Sequence, residues 1–505
     1  MPNDPSQQSS LSKQTVFQSV QEATEFLEAN LNFETTSPTK NDPHIKLKTI
    51  TQLLQLLKNP QNNYPIIHIG GTKGKGSTAI FLENLLLSAG YKVGLYSSPH
   101  ILSVLERFRI DGQNCPPPRF CALASQLADL LSTDRLGRTL KPTYFELTTA
   151  LALLYFSQEK CDYVILEVGL GGRLDTTNIC NPVLSIITSL SLDHTHFLGE
   201  TIEEIAYEKG GIIKEKTPVL LSKQPSAAQK VLSKIAHDKG APLYQLGTDF
   251  HIHPATKANT PGKTDFKTKG STFDYTHSID SLTPIRMEGL APSLCGKHQQ
   301  ENAALALTAA LLLHPENPLS EKRLRNGVGT AHLAGRFEVT QTSPPIVLDV
   351  AHNEASIERL CQTLKEEFPS HLPLFLFATS QDKAAEPMLR HLLDHANYLF
   401  ITEYDTVARN YPVSDLLALV RNIAPDNWRE IPTPLSASLD LGTQNLLEDN
   451  TSPHLFTSFS KPKVAIEQAY LLLDHLQEAG KTPLLCVTGS FFFIEQWHRY
   501  HAPQE

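Results

Sequence analysis

The stretch YPIIHIGGTKGKGSTAIFLENLLLSAG, residues 64–90, constrains this chain more than any other part of it. An apolar run breaks into four glycines and two lysines, a hydroxyl pair follows, and apolar residues return at helical spacing. Gly70, Gly71, Gly74 and Gly76 let the backbone turn tightly and bring N–H groups close to an anion. A helix beginning near Ser77 aims its positive end at the same point. The unit reads as a strand feeding a phosphate-binding loop, yet the usual spacing of Gly, four residues and Gly-Lys-Ser/Thr does not fit. Counting back from Gly74-Lys75 puts Ile69 where the first glycine belongs, and Ser77 falls one place late. A nucleotide site of altered spacing stands beside a structural glycine turn. In the first, Lys75 meets the terminal phosphates and Ser77 or Thr78 helps hold Mg²⁺.

From residue 64 onward, apolar strands alternate with amphipathic helices, which predicts a mostly parallel sheet covered on both faces. VFQSVQEATEFLEANL and HIKLKTITQLLQLLKN precede it as helices, behind a floppy start over about residues 1–15. YKVGLYSS, CDYVILEVG, VLSIITSL and TPVLLS read as strands, and FELTTALALLYFSQ and TIEEIAYEKGG as helices. Residues 254–284 break the rhythm, as an irregular excursion or a twisted antiparallel patch. A second alternating series starts near residue 335, and the boundary between two domains is placed at 327–336. That gives an N-terminal P-loop-type ATPase domain over 1–330 and a smaller Rossmann-like α/β domain over 331–505. The Thr/Ser/Pro/Leu-rich stretch 431–462 reads as a long loop.

At 505 residues the chain exceeds one ordinary core. A formal net charge of -9 argues against a nucleic-acid coat. Seven cysteines with no C-x-x-C pair fit a reducing compartment and offer no zinc spacing. The polar start MPNDPSQQSSLSKQT lacks signal-peptide order, and no apolar run nears the roughly 18 residues needed to span a bilayer. A cytoplasmic protein is expected.

Several strand ends carry chemistry. GLYSSPH sets Ser97, Ser98 and His100 where ligands sit in parallel sheets, with a Ser-Pro turn as the alternative. VILEVGLGGRLDTTN carries Glu167 near a strand end, then three glycines, Arg173, Asp175 and Asn178. Such a carboxylate anchors magnesium in P-loop enzymes; an ion pair with Arg173 is the competing reading. Asp193, His194 and His196 follow the next strand without the partners zinc needs. Lys209 sits beside glycines, either as a solvated helix end or facing phosphates. Asp349, His352 and Asn353 end a strand before a helix, where capping competes with nucleotide contact. Arg336 lies close to the domain boundary.

Taken in order, GGTKGKGST, GLYSSPH, ERFRIDG, YFELTT, LEVGLGGRLDTTN, SLDHTHFLG, YEKGGIIK, GRFEV and LDVAHN resemble the folylpolyglutamate synthase and dihydrofolate synthase branch of the Mur ligase superfamily. The resemblance is close over roughly residues 45–355 and looser through VTGSFFF. It implies that the extra glycine, Gly76, belongs to this branch's own ATP loop, with Thr72, Lys73, Gly74, Lys75 and Ser77 around it. It implies Ser98, Glu167 and His194 as the magnesium set, displacing Ser77, and Lys209 as a carboxylated lysine that helps hold a second metal. Asn302, Arg336, Asp349 and His352 match nucleotide contacts, the last three from the second domain or its linker. Thr143, Tyr144, Phe145 and Glu146, with Leu174, Asp175 and Thr176, resemble pterin-substrate contacts.

The implied activity is an ATP-dependent ligase adding L-glutamate to dihydropteroate or reduced folates through an acyl phosphate, by a monomer with no nucleic-acid or membrane partner. A cell-wall amide ligase of the same superfamily shares the loop, and a non-catalytic nucleotide switch is a third reading. Gly210 departs from the family's usual alanine after the modified lysine.

Overall fold

The computed structural model of the chain describes residues 15–32, 47–133, 140–255, 271–280, 282–314, 319–405, 410–431 and 454–502. Residues 1–14 of the start read as floppy lie outside them, as do 256–270 and 432–453. The described residues form two compact units: one takes in residues up to 255 with 273–290 and 300–331, the other 291–299 and 332 onward.

In the first unit the strands are β1 (Ile66–Gly70), β2 (Val93–Tyr96), β3 (Phe108–Ile110), β4 (Gln113–Asn114), β5 (Tyr163–Glu167), β6 (Leu184–Ile187), β7 (Val219–Leu221) and β8 (Leu243–Gln245). They lie in the order β4-β3-β2-β5-β1-β6-β7-β8. Only the edge pairings β2–β3 and β3–β4 are antiparallel. The continuous apolar runs of β1, β2 and β6 are buried throughout, as a sheet covered on both faces requires. Helix Tyr144–Gln158 is apolar nearly all round and buried over most of its length. Because β1 lies between β5 and β6, the turns that leave these three strands share one rim with the turn after β2, at the point where strand order reverses.

In the described part of the irregular stretch 254–284 the antiparallel alternative holds: β9 (Phe250–Pro254), β10 (Phe273–His277) and β11 (Arg286–Leu290) form a three-stranded sheet.

The second unit holds β12 (Glu338–Thr342), β13 (Pro345–Asp349), β14 (Leu372–Phe377), β15 (Tyr398–Thr402), β16 (Trp428–Glu430), β17 (His454–Phe459) and β18 (Pro483–Thr488). Their order is β12-β13-β18-β14-β15-β17-β16, parallel except for β12 against β13. Strand β17 corrects the long loop expected over 431–462. Its HLFTSF carries polar residues that hide a strand, but Leu455, Phe456 and Phe459 are buried. The Thr457 hydroxyl is satisfied internally, donating to the Ile431 carbonyl at 2.9 Å. VTGSFFF divides: β18 ends at Thr488, and Ser490 caps helix Phe491–His501.

Candidate active site

The glycine loop leaves β1 and is stitched to the segment after β6. The Thr72 and Lys73 N–H groups both donate to the Ser189 carbonyl, at 3.0 and 3.2 Å, and the Thr72 hydroxyl donates to the Ser191 carbonyl at 3.2 Å. A Cβ on Gly71 would stand 1.9 Å from the Thr188 hydroxyl oxygen, and its φ of +143° suits no other residue. Gly74, at φ +92°, caps helix Lys75–Ala89. The helix therefore starts two residues before the expected Ser77. A Cβ on Gly74 would lie 2.4 Å from Asn302 Oδ1, which also accepts from the Thr78 hydroxyl at 3.4 Å. Asn302, an expected nucleotide contact, is thus brought against the loop. The first N–H groups of the helix have no partner within it, so its positive end suits a phosphate.

Two lysines converge on one oxygen here. Lys75 Nζ donates to the Gly71 carbonyl at 3.3 Å and Lys209 Nζ to the same carbonyl at 3.0 Å. Lys209 is 4 % exposed. Burial, seconded by the charge of Lys75 and opposed by Asp193 and Asp175, pushes its ammonium down to about 7. A neutral amine is thereby accessible near neutrality, as carboxylation requires.

The 168–178 turn fixes this lysine by lying on the end of its helix, Ile202–Gly210. Arg173 N–H donates to the Glu208 carbonyl at 2.7 Å, and the Asn178 amide donates to the Arg173 and Gly211 carbonyls at 3.0 and 3.1 Å. Arg173 forms its ion pair with Glu208, at 2.9 Å, rather than the pair with Glu167 that competed with the metal reading.

Magnesium is tested by the donor set. Glu167 ends β5 and is buried; Tyr96 of β2 registers with Leu166, and Ile69 of β1 with Glu167. Ser98, just past β2, and Glu167 therefore emerge on adjacent strand ends next to the glycine loop. One hydroxyl and one carboxylate suit Mg²⁺, which keeps several waters and takes phosphate oxygens. His194 is half-exposed at φ +50°, with Nε2 3.9 Å from Asp193 Oδ1. An imidazole is the less typical ligand for this ion. Among the described residues no group of three or more His, Cys, Asp or Glu side chains is arranged to hold a metal. The residues fit an ion completed by phosphate and water.

The expected acceptor contacts are deep in hydrogen bonds of their own. Thr143 caps helix Tyr144–Gln158 in a reciprocal box with Glu146, whose other oxygen accepts from Ile50 N–H at 3.1 Å. One carboxylate thus serves the first turns of two helices. Asp175 is buried, which pushes its carboxyl up despite hydrogen bonds from the Thr177 hydroxyl and the Leu170 and Thr177 N–H groups. Thr176 pairs with the Thr149 hydroxyl at 2.7 Å. Leu174 and Phe145 remain partly exposed.

In the second unit Asp349 organises the turn bearing Arg336: its carboxylate accepts from Phe337 N–H and Ala351 N–H, both at 2.8 Å. The Arg336 guanidinium lies 5.3 Å from the Phe491 ring centroid, and the His352 ring 5.6 Å from the same ring. Asn353 caps helix Glu354–Glu367, so the capping reading holds for it. Phe491 was missed from sequence, where an aromatic run gives no sign of which ring meets a cation. Arg107 and His68 were missed as well; both are buried, Arg107 inside the quoted ERFRIDG and His68 in β1 facing the Thr177 hydroxyl at 2.8 Å.

Residues 69–310 match the Mur ligase middle domain, and residues 333–415 the dihydrofolate synthetase C-terminal domain. The chain is 35 % identical over 395 residues to the dihydrofolate synthase/folylpolyglutamate synthase of Bacillus subtilis, covering 76 % of this chain and 87 % of that protein. It is 33 % identical to the folylpolyglutamate synthase of Lacticaseibacillus casei, covering 78 % and 88 %. Among solved structures, Mycobacterium tuberculosis folylpolyglutamate synthase complexed with ADP aligns with a TM-score of 0.78 at 25 % identity, over 96 % of this chain and 99 % of that one. Escherichia coli FolC in complex with DHPP and ADP aligns with a TM-score of 0.72 at 27 % identity, over 95 % and 97 %.

Proposed function

The chain belongs to the dihydrofolate synthase/folylpolyglutamate synthase family, and from that premise we propose that the rim around Gly71 is the ATP site of a glutamate ligase whose named residues act as follows. The protein is an ATP-dependent acid–amino-acid ligase, joining L-glutamate to dihydropteroate or to a reduced folate. A carboxylate resists attack by an amine, so an oxygen of the acceptor carboxylate first attacks the γ-phosphorus of ATP. The β–γ bridging bond breaks, ADP leaves, and an acyl phosphate remains. The glutamate amine then attacks the acyl carbon, phosphate departs, and the amine loses a proton.

Lys75 and the first turn of its helix neutralise charge gathering on the β- and γ-phosphates, and the stitched loop keeps those donors in place. Thr72, Lys73, Gly74, Gly76, Ser77 and Asn302 complete the cradle, and Arg336, Asp349 and His352 are read as nucleotide-contact residues. Ser98, Glu167 and His194 would hold magnesium, which when bound adds charge neutralisation on the phosphates. Lys209, as its carbamate, would hold a second ion. Thr143–Glu146 and Leu174–Thr176 shape the acceptor side, with Phe145 and Leu174 the surfaces open to a pterin. The enzyme is read as a cytoplasmic monomer, in keeping with seven cysteines that are all buried free thiols.

The convergence of Lys75 and Lys209 on the Gly71 carbonyl carries the site reading. Two lysine side chains gathered on one carbonyl offer a polyphosphate a cationic partner in Lys75 and carboxylation a neutral amine in Lys209. The test supplies ATP and L-glutamate with dihydropteroate or tetrahydrofolate, separately, and follows the product. Lys75→Ala is expected to lower turnover by about 10²–10³-fold with the fold unchanged. Unaltered turnover in that variant removes the loop assignment.

A further inference from the structure

Arg107 heads the fully buried side chains by volume, at 1 % exposure, although it lies next to a strand-end loop. A guanidinium stays charged and is expensive to take out of water, so its surroundings must use it. Its own carbonyl accepts from Ser97 N–H at 3.3 Å, while its Nε–H donates to His100 Nδ1 at 2.8 Å. Ser98 lies between these two attachments. The guanidinium also faces the ring of Tyr144, 5.4 Å from its centroid, at the start of the helix that Thr143 and Glu146 cap.

The chain between the attachments is closed on itself. Glu106 accepts from the N–H groups of Ile101, Leu102 and Ser103 at 2.8, 2.9 and 2.8 Å, and Ser103 caps the short 3₁₀ turn Val104–Arg107. The turn delivers Arg107 to β3, which pairs with β2 through Tyr96 and Phe108. Since Nδ1 of His100 accepts, its ring proton resides on Nε2.

We propose that Arg107 is the positioning residue of the Ser98 loop, bracketing Ser98 through Ser97 and His100 and tying it to the acceptor-side helix through Tyr144. This rests on the reading of Ser98 as a magnesium ligand. Arg107 touches no reacting atom in this role; it sets where the hydroxyl stands. Outer partners of metal ligands commonly alter metal affinity by about 10–100-fold when removed.

Calorimetric titration of ADP into the full-length protein, once with Mg²⁺ and once with a chelator in its place, measures the gain in affinity due to the metal. His100→Phe keeps a ring but removes the acceptor, and the gain is expected to fall about tenfold while chelator-state ADP affinity holds. His100→Asn restores an acceptor near the Nδ1 position and is expected to keep most of the gain. Arg107→Lys, which retains charge but loses Nε–H, is expected to behave like His100→Phe; if its burial prevents folding, the two His100 variants decide alone. A full Mg²⁺ gain in His100→Phe overturns the proposal. Ser98→Ala is titrated in parallel: a retained gain there defeats the ligand assignment of Ser98, while the bracket is still judged by His100→Phe.

Discussion

At the rim of the first sheet Lys209 is buried and shares a backbone carbonyl with Lys75, whereas at the rim of the second Arg336, Asp349 and His352 are each half-buried, at the end of β13 and in the turns beside it. Both rims follow parallel strands, and both carry charge. They differ in what holds it. The first is sewn together by a loop, a helix end and a glycine turn, so its charges are fixed before any ligand arrives. The second is held by short local bonds: Asp349 accepts from two backbone N–H groups, Glu338 accepts from Gly335 N–H at 2.8 Å, and Val350 N–H donates to the Gly335 carbonyl at 2.9 Å. A preorganised site spends less on ordering at the moment of reaction, which suits the phosphoryl-transfer side. A turn held by local bonds alone would suit contacts that form and release with a ligand.

Of the effects that bear on this contrast, the largest concerns Lys209. Its proton affinity falls from the usual lysine value to about 7, chiefly through burial. The folded value lies below the unfolded one, so the unfolded chain binds more protons between about pH 7 and about pH 10.5, and stability rises with pH across that window. Carboxylation needs the neutral amine, so activity is expected to climb through about pH 7 and to depend on dissolved CO₂. Lys209→Ala removes both the climb and the dependence, and lowers turnover by about 10²-fold. Rates measured from about pH 6 to about pH 8 in degassed and bicarbonate-supplemented buffer check this. Indifference to bicarbonate across that range counts against the carbamate.

The next effect separates the two rims directly. Glu146→Gln keeps one acceptor where a carboxylate served two helix starts, and should cost about 1–2 kcal/mol, a drop of a few degrees in Tm. Asp349→Asn should leave Tm nearly unchanged while raising the KM for ATP several-fold by loosening the Arg336 turn. If the two variants exchange these signatures, the contrast between a fixed rim and an adjustable one is wrong.

The sequence was legible where local pattern and chemistry coincide. Strand–glycine–helix alternation announces the parallel sheet, and Lys75, Glu167 and Lys209 lie where their motifs suggested, on one rim of it. Illegible features depend on distant partners. Nothing in SLDHTHFLG tells that the charge of Asp193 is felt at Lys209, since that depends on how the chain folds back. Thr143 and Glu146 matched a substrate motif, but that motif is also a capping box, and the sequence cannot tell which use dominates. Strand β17 was hidden because Thr457 and Ser458 interrupt its apolar alternation, and only its neighbours on both sides bury it.

The smallest effect tests how tightly the first rim is packed at Gly210, where the resemblance leads one to expect alanine. A Cβ on Gly210 would stand 2.6 Å from Ile235 Cδ1 and 3.1 Å from Leu232 Cδ2, on the helix Ser226–Asp238 that packs against that of Lys209. Alanine in place of a helical glycine gains up to about 1 kcal/mol in propensity, and the crowding of a side-chain end costs a similar amount. Gly210→Ala alone should therefore change stability by less than about 1 kcal/mol. Ile235→Val removes the crowding methyl, so combining the two should recover the propensity gain and leave the double variant about 1 kcal/mol more stable than Ile235→Val. A full gain from Gly210→Ala in the unaltered background, with no coupling to Ile235, would show that the helix carrying Lys209 has room to shift and that this rim is no more fixed than the other.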